Sequence, residues 1–282
     1  MKRILTAAVA VLAIQSNSLA TWSVVAVNKK TGEMVIASAT CVPQRAFAGF
    51  PATGLKDIQA IILPGVGIAA AQANVDRTRK LQNLIAAELK RGTDPARIID
   101  MLTAGDPLHP ARQYGIVDLK GRAAGYSGAT NGKQSLDRQG QIGDAGITYS
   151  IQGNILASDA VIEEAVKAFR EKKGTLADRA MAAMEAADKN GGDRRCTCAT
   201  LPDPPAQCDS KTAHVAYLVI ARKSDRMAAG LNDGSYFLEL QVTDQDIRPD
   251  ESDNPVRTLR LRYDRWRASQ PKGKTGGKTG GS

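Results

Sequence analysis

Ser18-Leu19-Ala20-Thr21-Trp22-Ser23-Val24-Val25-Ala26-Val27 joins two different kinds of sequence. Up to Ala20 it reads as the end of a secretory signal. From Thr21 it reads as a strand that opens on a hydroxyl residue. In an extended chain Thr21, Ser23, Val25 and Val27 share one face, and Trp22, Val24 and Ala26 share the other. Both faces are mostly apolar, the pattern of a strand covered on both sides within a layered fold. A cut after Ala20 would free a hydroxyl and an α-amine on the same residue, Thr21, a pairing that builds a nucleophile. The strand would hold that chain end rigid, as catalysis at an N-terminus requires.

The residues before Thr21 have the three parts of an export signal. Lys2 and Arg3 supply the charge, Ile4 to Ile14 the apolar run, and Ser18 and Ala20 the small residues that a signal peptidase reads. An uncleaved anchor is the competing reading, and the apolar run is too short to span a bilayer. The mature protein is therefore expected to be secreted or periplasmic, with no membrane span once the signal is gone. The formal net charge is +9. Lys2 and Arg3 leave with the signal, and Lys272, Lys274 and Lys278 stand in the tail, so the body is only moderately basic. Such a balance means a solvated surface or an affinity for anionic polymers. No basic stretch is interleaved with aromatics, so nucleic acid is not an expected partner.

No cofactor is expected either. Gly65-Val66-Gly67-Ile68-Ala69-Ala70 mimics a dinucleotide fingerprint, but it ends in Ala and the next helix signal begins only near Asp76. The four cysteines, Cys41, Cys196, Cys198 and Cys208, allow three disulfide pairings in an exported chain. The last three cluster in a Pro-rich stretch, so a local staple joining Cys208 to Cys196 or Cys198 is expected. Zinc is the sharper alternative. Only His214 lies nearby and Cys-Thr-Cys is not the usual knuckle spacing, so no metal is expected.

Periodicity places strands at Thr21 to Val27, Met34 to Thr40, Ile58 to Leu63 and Val66 to Gln72. Leu81, Leu84, Ile85 and Leu89 make one helical face, and Asp94-Pro95 caps a second helix. Strands follow at Gln113 to Asp118 and Arg122 to Ser127, then glycine-rich loops over 128 to 146 and a strand from Thr148 to Gln152. Val161, Ile162, Ala165, Val166 and Phe169 mark a third helix. Thr175 with Asp178 forms a capping box for a fourth. Strands return at Val215 to Ala221 and Tyr236 to Val242, and Asn254 to Trp266 reads as a terminal helix. Residues 271 to 282 are Lys/Gly/Thr low-complexity sequence and are expected to be disordered. Hairpins alternate with helix pairs and no βαβ unit repeats. That order predicts an α+β protein of two stacked, mostly antiparallel sheets with helix pairs outside.

Several of these stretches carry a family resemblance. Thr-Trp-Ser-Val-Val-Ala-Val from Thr21, Gly65-Val66-Gly67 leading to Ala71-Gln72-Ala73, and Gln113-Tyr114-Gly115-Ile116-Val117-Asp118 recur in order with Ser150-Ile151-Gln152-Gly153-Asn154-Ile155-Leu156 and Gly191-Gly192-Asp193-Arg194-Arg195. Together, over about residues 21 to 222, they resemble a bacterial Ntn-hydrolase-like family known as domain of unknown function ten-twenty-eight. Ntn stands for N-terminal nucleophile. The resemblance implies a four-layer αββα sandwich and supplies no reaction. It divides the chain into a signal at 1–20, an Ntn-hydrolase-like domain at 21–231, a C-terminal extension at 232–270 and the tail at 271–282. Residues Cys196 to Asp209 are an insertion relative to simpler members.

Ntn hydrolases cut amide bonds, so the implied partner is a small-molecule or peptide amide. Thr21 would be nucleophile and, through its α-amine, base. Asn154, ending a strand beside Gly153, is the candidate oxyanion donor, with a turn role as its alternative. Ser23 shares the face of Thr21 and is the candidate for orienting the amine. Gln72 ends a strand and could bind substrate or cap the sheet edge; Asp193, Arg194 and Arg195 follow a helix end, where one could bind a substrate carboxylate as a bidentate arginine does, with a solvated turn as the alternative. A Ser-His-acid hydrolase fits less well: only His109 and His214 exist, and no Gly-x-Ser-x-Gly elbow occurs. The alternatives are a non-catalytic binding or scaffold protein on the same fold, and a surface protein whose basic tail holds anionic envelope polymers. A homo-oligomer is left open.

Overall fold

The computed structural model of the protein describes residues 21–49, 52–196, 211–227 and 229–270. The expected signal at 1–20, the tail at 271–282, Cys198 and Cys208 lie outside the described residues. In chain order the elements are β1 (Thr21–Asn28), β2 (Glu33–Thr40), α1 (Leu55–Gln59), β3 (Ala60–Leu63), β4 (Gly67–Ala73), α2 (Lys80–Arg91), α3 (Pro95–Gly105), β5 (Arg112–Asp118), β6 (Ala123–Ser127), β7 (Leu136–Ile142), β8 (Ile147–Asn154), α4 (Ala160–Glu171), α5 (Leu176–Lys189), β9 (Val215–Ala221), β10 (Leu238–Thr243) and α6 (Pro255–Ser269).

The strands form two sheets, one ordered β10-β9-β2-β1-β8-β7 and one ordered β3-β4-β5-β6. Each of the paired strands runs antiparallel to its neighbour. The two faces of β1 go to different layers, as its alternation predicts. Trp22, Val24 and Ala26 pack under α4 and α5, against Val161, Ile162, Phe169, Met181 and Met184. Val25 and Val27 face the other sheet, with Ile62, Ile68, Ala70 and Val117. The far side of that second sheet, carrying Ile61, Leu63, Tyr114 and Ile116, is covered by Ile85 and Leu89 of α2 and Ile98 and Leu102 of α3. The layers are therefore helix pair, sheet, sheet, helix pair.

Helix ends follow the sequence signals. Asp94 accepts from Ala96 N, and Thr175 and Asp178 form the reciprocal capping box. Asn254 caps α6 by accepting from Val256 N. Each such cap contributes about 1 kcal/mol. The segment after 231 adds β10 to the edge of the larger sheet, and Val256, Leu259 and Tyr263 of α6 join the core that holds Trp22.

Two sequence expectations are corrected. Ile58 and Gln59 belong to α1, not to a strand, which begins only at Ala60. The span 128–146 contains β7, Leu-Asp-Arg-Gln-Gly-Gln-Ile. This strand lies at the sheet edge, where one neighbour suffices and half-exposed polar side chains are tolerated, so it lacks apolar alternation.

Candidate active site

β1 lies between β2 and β8, so Thr21 has a residue directly across on each side, Thr40 and Asn154. Directly opposed residues project to the same face. The side chains of Thr40, Thr21 and Asn154 therefore form one row toward the second sheet, and all three are buried. Thr21 Oγ1 donates to Thr40 Oγ1 at 3.4 Å, and Thr40 Oγ1 accepts from Val42 N at 3.2 Å.

Behind that row lies a buried network of serines and glutamines. Ser23 Oγ donates to Gln72 Oε1 and accepts from Gln152 Nε2, each at 2.6 Å. Gln72 Nε2 donates to the carbonyl of Thr21 at 3.1 Å and to Gln113 Oε1 at 2.7 Å. Gln113 Nε2 donates onward to the carbonyl of Gly153 at 2.8 Å, next to Asn154. Gln59 Nε2 also donates to Gln72 Oε1, and Tyr217 donates its hydroxyl to Gln59 Oε1, both at 2.7 Å. Burial holds the Tyr217 hydroxyl well above its usual range, so it stays a protonated donor. Gly115 makes room for Gln152: a Cβ at that position would fall 2.2 Å from Gln152 Oε1. The network thus ties both sheets to the first residue of β1 without a formal charge. None of its members titrates near neutral pH, so none could take the Thr21 hydroxyl proton. A free α-amine on Thr21 could.

The backbone is strained where β4 and β8 end. Ala73, next to Gln72, has φ +71°, and Ile155, next to Asn154, has φ +53°. Positive φ is uncommon for alanine and an outlier for a β-branched residue. Strain of this kind gathers at functional sites because the surroundings must hold it in place.

A turn at Asp193 closes the same end of the sheet. Asp193 is 1 % exposed. Its carboxylate accepts from Cys41 N at 3.0 Å, and from Arg195 N and Nη2, each at 3.0 Å. Its oxygens are thereby engaged in holding the backbone beside Thr40. Arg194 N donates to the carbonyl of Ile155 at 3.2 Å, and its side chain is exposed. The structure so gathers Thr21, Ser23, Gln72 and Asn154 around one strand end, with Asp193 and Arg194 on the turn that covers it.

The cysteine expectation is corrected. Cys196 pairs with Cys41, with Cα atoms 5.4 Å apart across a sequence separation of 155, and not with Cys208. The fold, rather than proximity in sequence, brings the 193–196 turn against the end of β2. Among the described residues, no group of three or more His, Cys, Asp or Glu could hold a metal ion, and no helix is long and apolar enough to cross a membrane. His109 Nδ1 meets Tyr126 OH at 2.6 Å in the other sheet. His214 lies with its Nδ1 3.9 Å from Asp244, and burial lowers its pKa. The sequence reading did not single out Gln59, Gln113, Gln152 or Thr40. Each is a polar residue that closes or interrupts an apolar run, and that is the one local sign of them.

No curated protein matches this chain. The crystal structure of a protein from Silicibacter pomeroyi, itself assigned to DUF1028, is similar to it with a TM-score of 0.63 and 20% sequence identity, covering 90% of this chain and 88% of that one. At that identity the likeness shows the fold alone. The model of a family of unknown function, DUF1028, matches residues 21–259, beginning at the first residue of β1. The chain belongs to the DUF1028 family.

Proposed function

We propose that this protein is an exported N-terminal-nucleophile amidohydrolase, made competent when cleavage after Ala20 turns Thr21 into the chain terminus. The observation that carries the reading is that Thr21 opens a central strand, with its hydroxyl in a row with Thr40 and Asn154 and its carbonyl held by Gln72. The layered α+β fold of two stacked antiparallel sheets and the Cys41–Cys196 disulfide, a feature of oxidising compartments, support it.

In this reading the α-amine removes the Thr21 hydroxyl proton as Oγ1 attacks a substrate amide carbonyl. The Asn154 carboxamide donates to the oxyanion that forms. The resulting α-ammonium returns the proton to the leaving amine as the C–N bond breaks, leaving an ester on Thr21. Water, deprotonated by the same amine, then hydrolyses the ester. Ser23 and Gln72 act through position, fixing the Thr21 backbone. Arg194, exposed on the turn beside Ile155, would receive a substrate carboxylate.

A second reading, a binding or scaffold protein on the same fold, draws on the burial of Thr21, 1 % exposed in the full-length chain. Intact mass and N-terminal sequencing of the exported protein decide first. A start at Thr21 is expected, and a start elsewhere or a blocked amine removes the proposed base. On the mature protein an electrophilic acylating probe should label Thr21. Thr21→Ala should abolish labelling and Thr21→Ser should retain it. Equal labelling of Thr21→Ala would assign the chemistry to another residue.

A further inference from the structure

A cavity lies at the other end of the larger sheet. It is lined by Glu33, the first residue of β2, by Arg222 just after β9, and by Phe237, Tyr263, Trp266 and Arg267, with a volume of about 380 Å³. Glu33 and Thr40 are the two ends of an eight-residue strand, so this cavity is ~24 Å from the row at Thr21. Two of the chain's four phenylalanine and two tryptophan residues stand here half-buried, Phe237 and Trp266, edge-to-face with ring centroids 5.5 Å apart.

The charges of the lining are unequal in what they leave over. Arg267 is paired with Asp178, which also accepts from Tyr263 OH at 3.0 Å. Arg222 stacks over the Phe237 ring, 3.1 Å from its centroid, and no carboxylate among the described residues lies within ion-pair distance of its guanidinium. Glu33 is the one carboxylate of the lining, and burial pushes its carboxyl above the usual range although Arg222 opposes this. A neighbouring hollow adds Lys223 beside Arg222. An aromatic lining next to a guanidinium that no ion pair engages among the described residues suits a ring that carries one negative charge.

We propose that this cavity binds a small aromatic carboxylate, its ring against the Phe237–Trp266 pair and its carboxylate on the Arg222 guanidinium. The chain's own tail, which continues from Gln270 on the cavity rim, is a poor occupant. It is Lys/Gly/Thr sequence and would bring like charge to Arg222 and Lys223. Tyr263, Trp266 and Arg267 lie beyond the residues matched by the family model, so that part of the lining is built by α6.

The test is calorimetric titration of the mature protein with indole-3-acetate and with its neutral isostere indole-3-acetamide. The acid is expected to bind saturably with a Kd of about 1 mM or tighter, and the amide roughly tenfold more weakly. Arg222→Gln removes a surface guanidinium that stacks on Phe237, so only a small fall in melting temperature is expected, and it should weaken the acid roughly tenfold while leaving the amide unchanged. Equal affinity for acid and amide, or an Arg222→Gln protein that binds the acid as wild type does, overturns the proposal. A gain of roughly tenfold on deleting residues 271–282 would make the tail the occupant and overturn it too.

Discussion

Replacing Gln72 by Glu puts a carboxyl where a carboxamide makes four buried hydrogen bonds. Gln72 Oε1 accepts from Ser23 and Gln59, and a carboxylate would keep both bonds. Gln72 Nε2 faces the carbonyl of Thr21 and Gln113 Oε1, and neither of those can donate. Gln113 cannot flip to help, because its own Nε2 is committed to the carbonyls of Gly153 and Leu136. The carboxylate form therefore sets negative charge against two acceptor oxygens at a site only 3 % exposed. Only the protonated acid can donate there, so the folded-state pKa rises above the ~4.3 of a free glutamate.

The sign follows. With a raised folded pKa, the Gln72→Glu protein has its full remaining stability below about pH 4.3, where the carboxyl is neutral in both states. It loses about 1.4 kcal/mol per pH unit above that, until the folded pKa is passed. A shift of about two units, modest for a buried carboxyl, costs ~3 kcal/mol on going from pH 4 to pH 7. At pH 4 only one donor is missing, a cost of about 1–3 kcal/mol. Urea unfolding of the mature wild type and of Gln72→Glu between pH 4 and pH 8 measures the gap directly. It should widen with pH. A gap that stays constant would mean the carboxyl reaches water, and the buried network as described would be wrong.

Two other perturbations test the frame around the site. Cys196→Ser opens a loop with a sequence separation of 155, and loss of about 2–5 kcal/mol is expected in urea unfolding. Dithiothreitol should bring the wild type down to the same stability and leave the variant unchanged; a wild type indifferent to reductant would remove the disulfide from the account. At α6, Arg262 donates to both oxygens of Glu251, and that interaction lowers the Glu251 pKa to about 2. A depressed folded pKa means its stabilisation is present above the ordinary 4.5 and is lost as pH falls toward about 2. Glu251→Gln should flatten that part of the acid-unfolding curve, and an unchanged curve would show that the pair does not stabilise the docked helix.

The layers were legible where burial is regular. Val24 to Val27, the α4 stripe and the capping box of α5 each announce themselves within a dozen residues, because a face that packs on one partner repeats with the period of its element. The frame of the candidate site was legible in part. Thr21, Ser23, Gln72 and Asn154 could be singled out as polar residues at strand starts and ends. What joins them could not. Gln59, Gln72, Gln113 and Gln152 come from four elements, and each makes sense only once the two sheets stack. The Cys41–Cys196 pair likewise shows only in the fold, where the turn at Asp193 meets the end of β2. β7 escaped notice for the opposite reason: a half-exposed edge strand has no apolar face to declare.

The neutrality of the network bears on whether an N-terminal amine could work there. An α-amine has a reference pKa of about 7.7–8.0, already suited to taking and returning a proton near neutral pH. A buried carboxylate beside it would raise that value and keep the amine protonated. A buried cation would lower it and weaken the base. The groups that surround Thr21 do neither: Thr40, Ser23, Gln72 and Asn154 are uncharged, and Tyr217 is kept protonated. Asp193, the buried carboxylate on the turn at this end of the sheet, is matched by Arg195 and by two backbone N–H groups. Four glutamines are a costly way to fill space between two sheets, since each must satisfy its whole carboxamide. Leucine at the same positions would bury more apolar area without that demand. The network therefore makes most sense as a device that positions the start of β1 by dipoles alone, and under the proposed function it would leave the titration of a chain end at Thr21 to the amine itself.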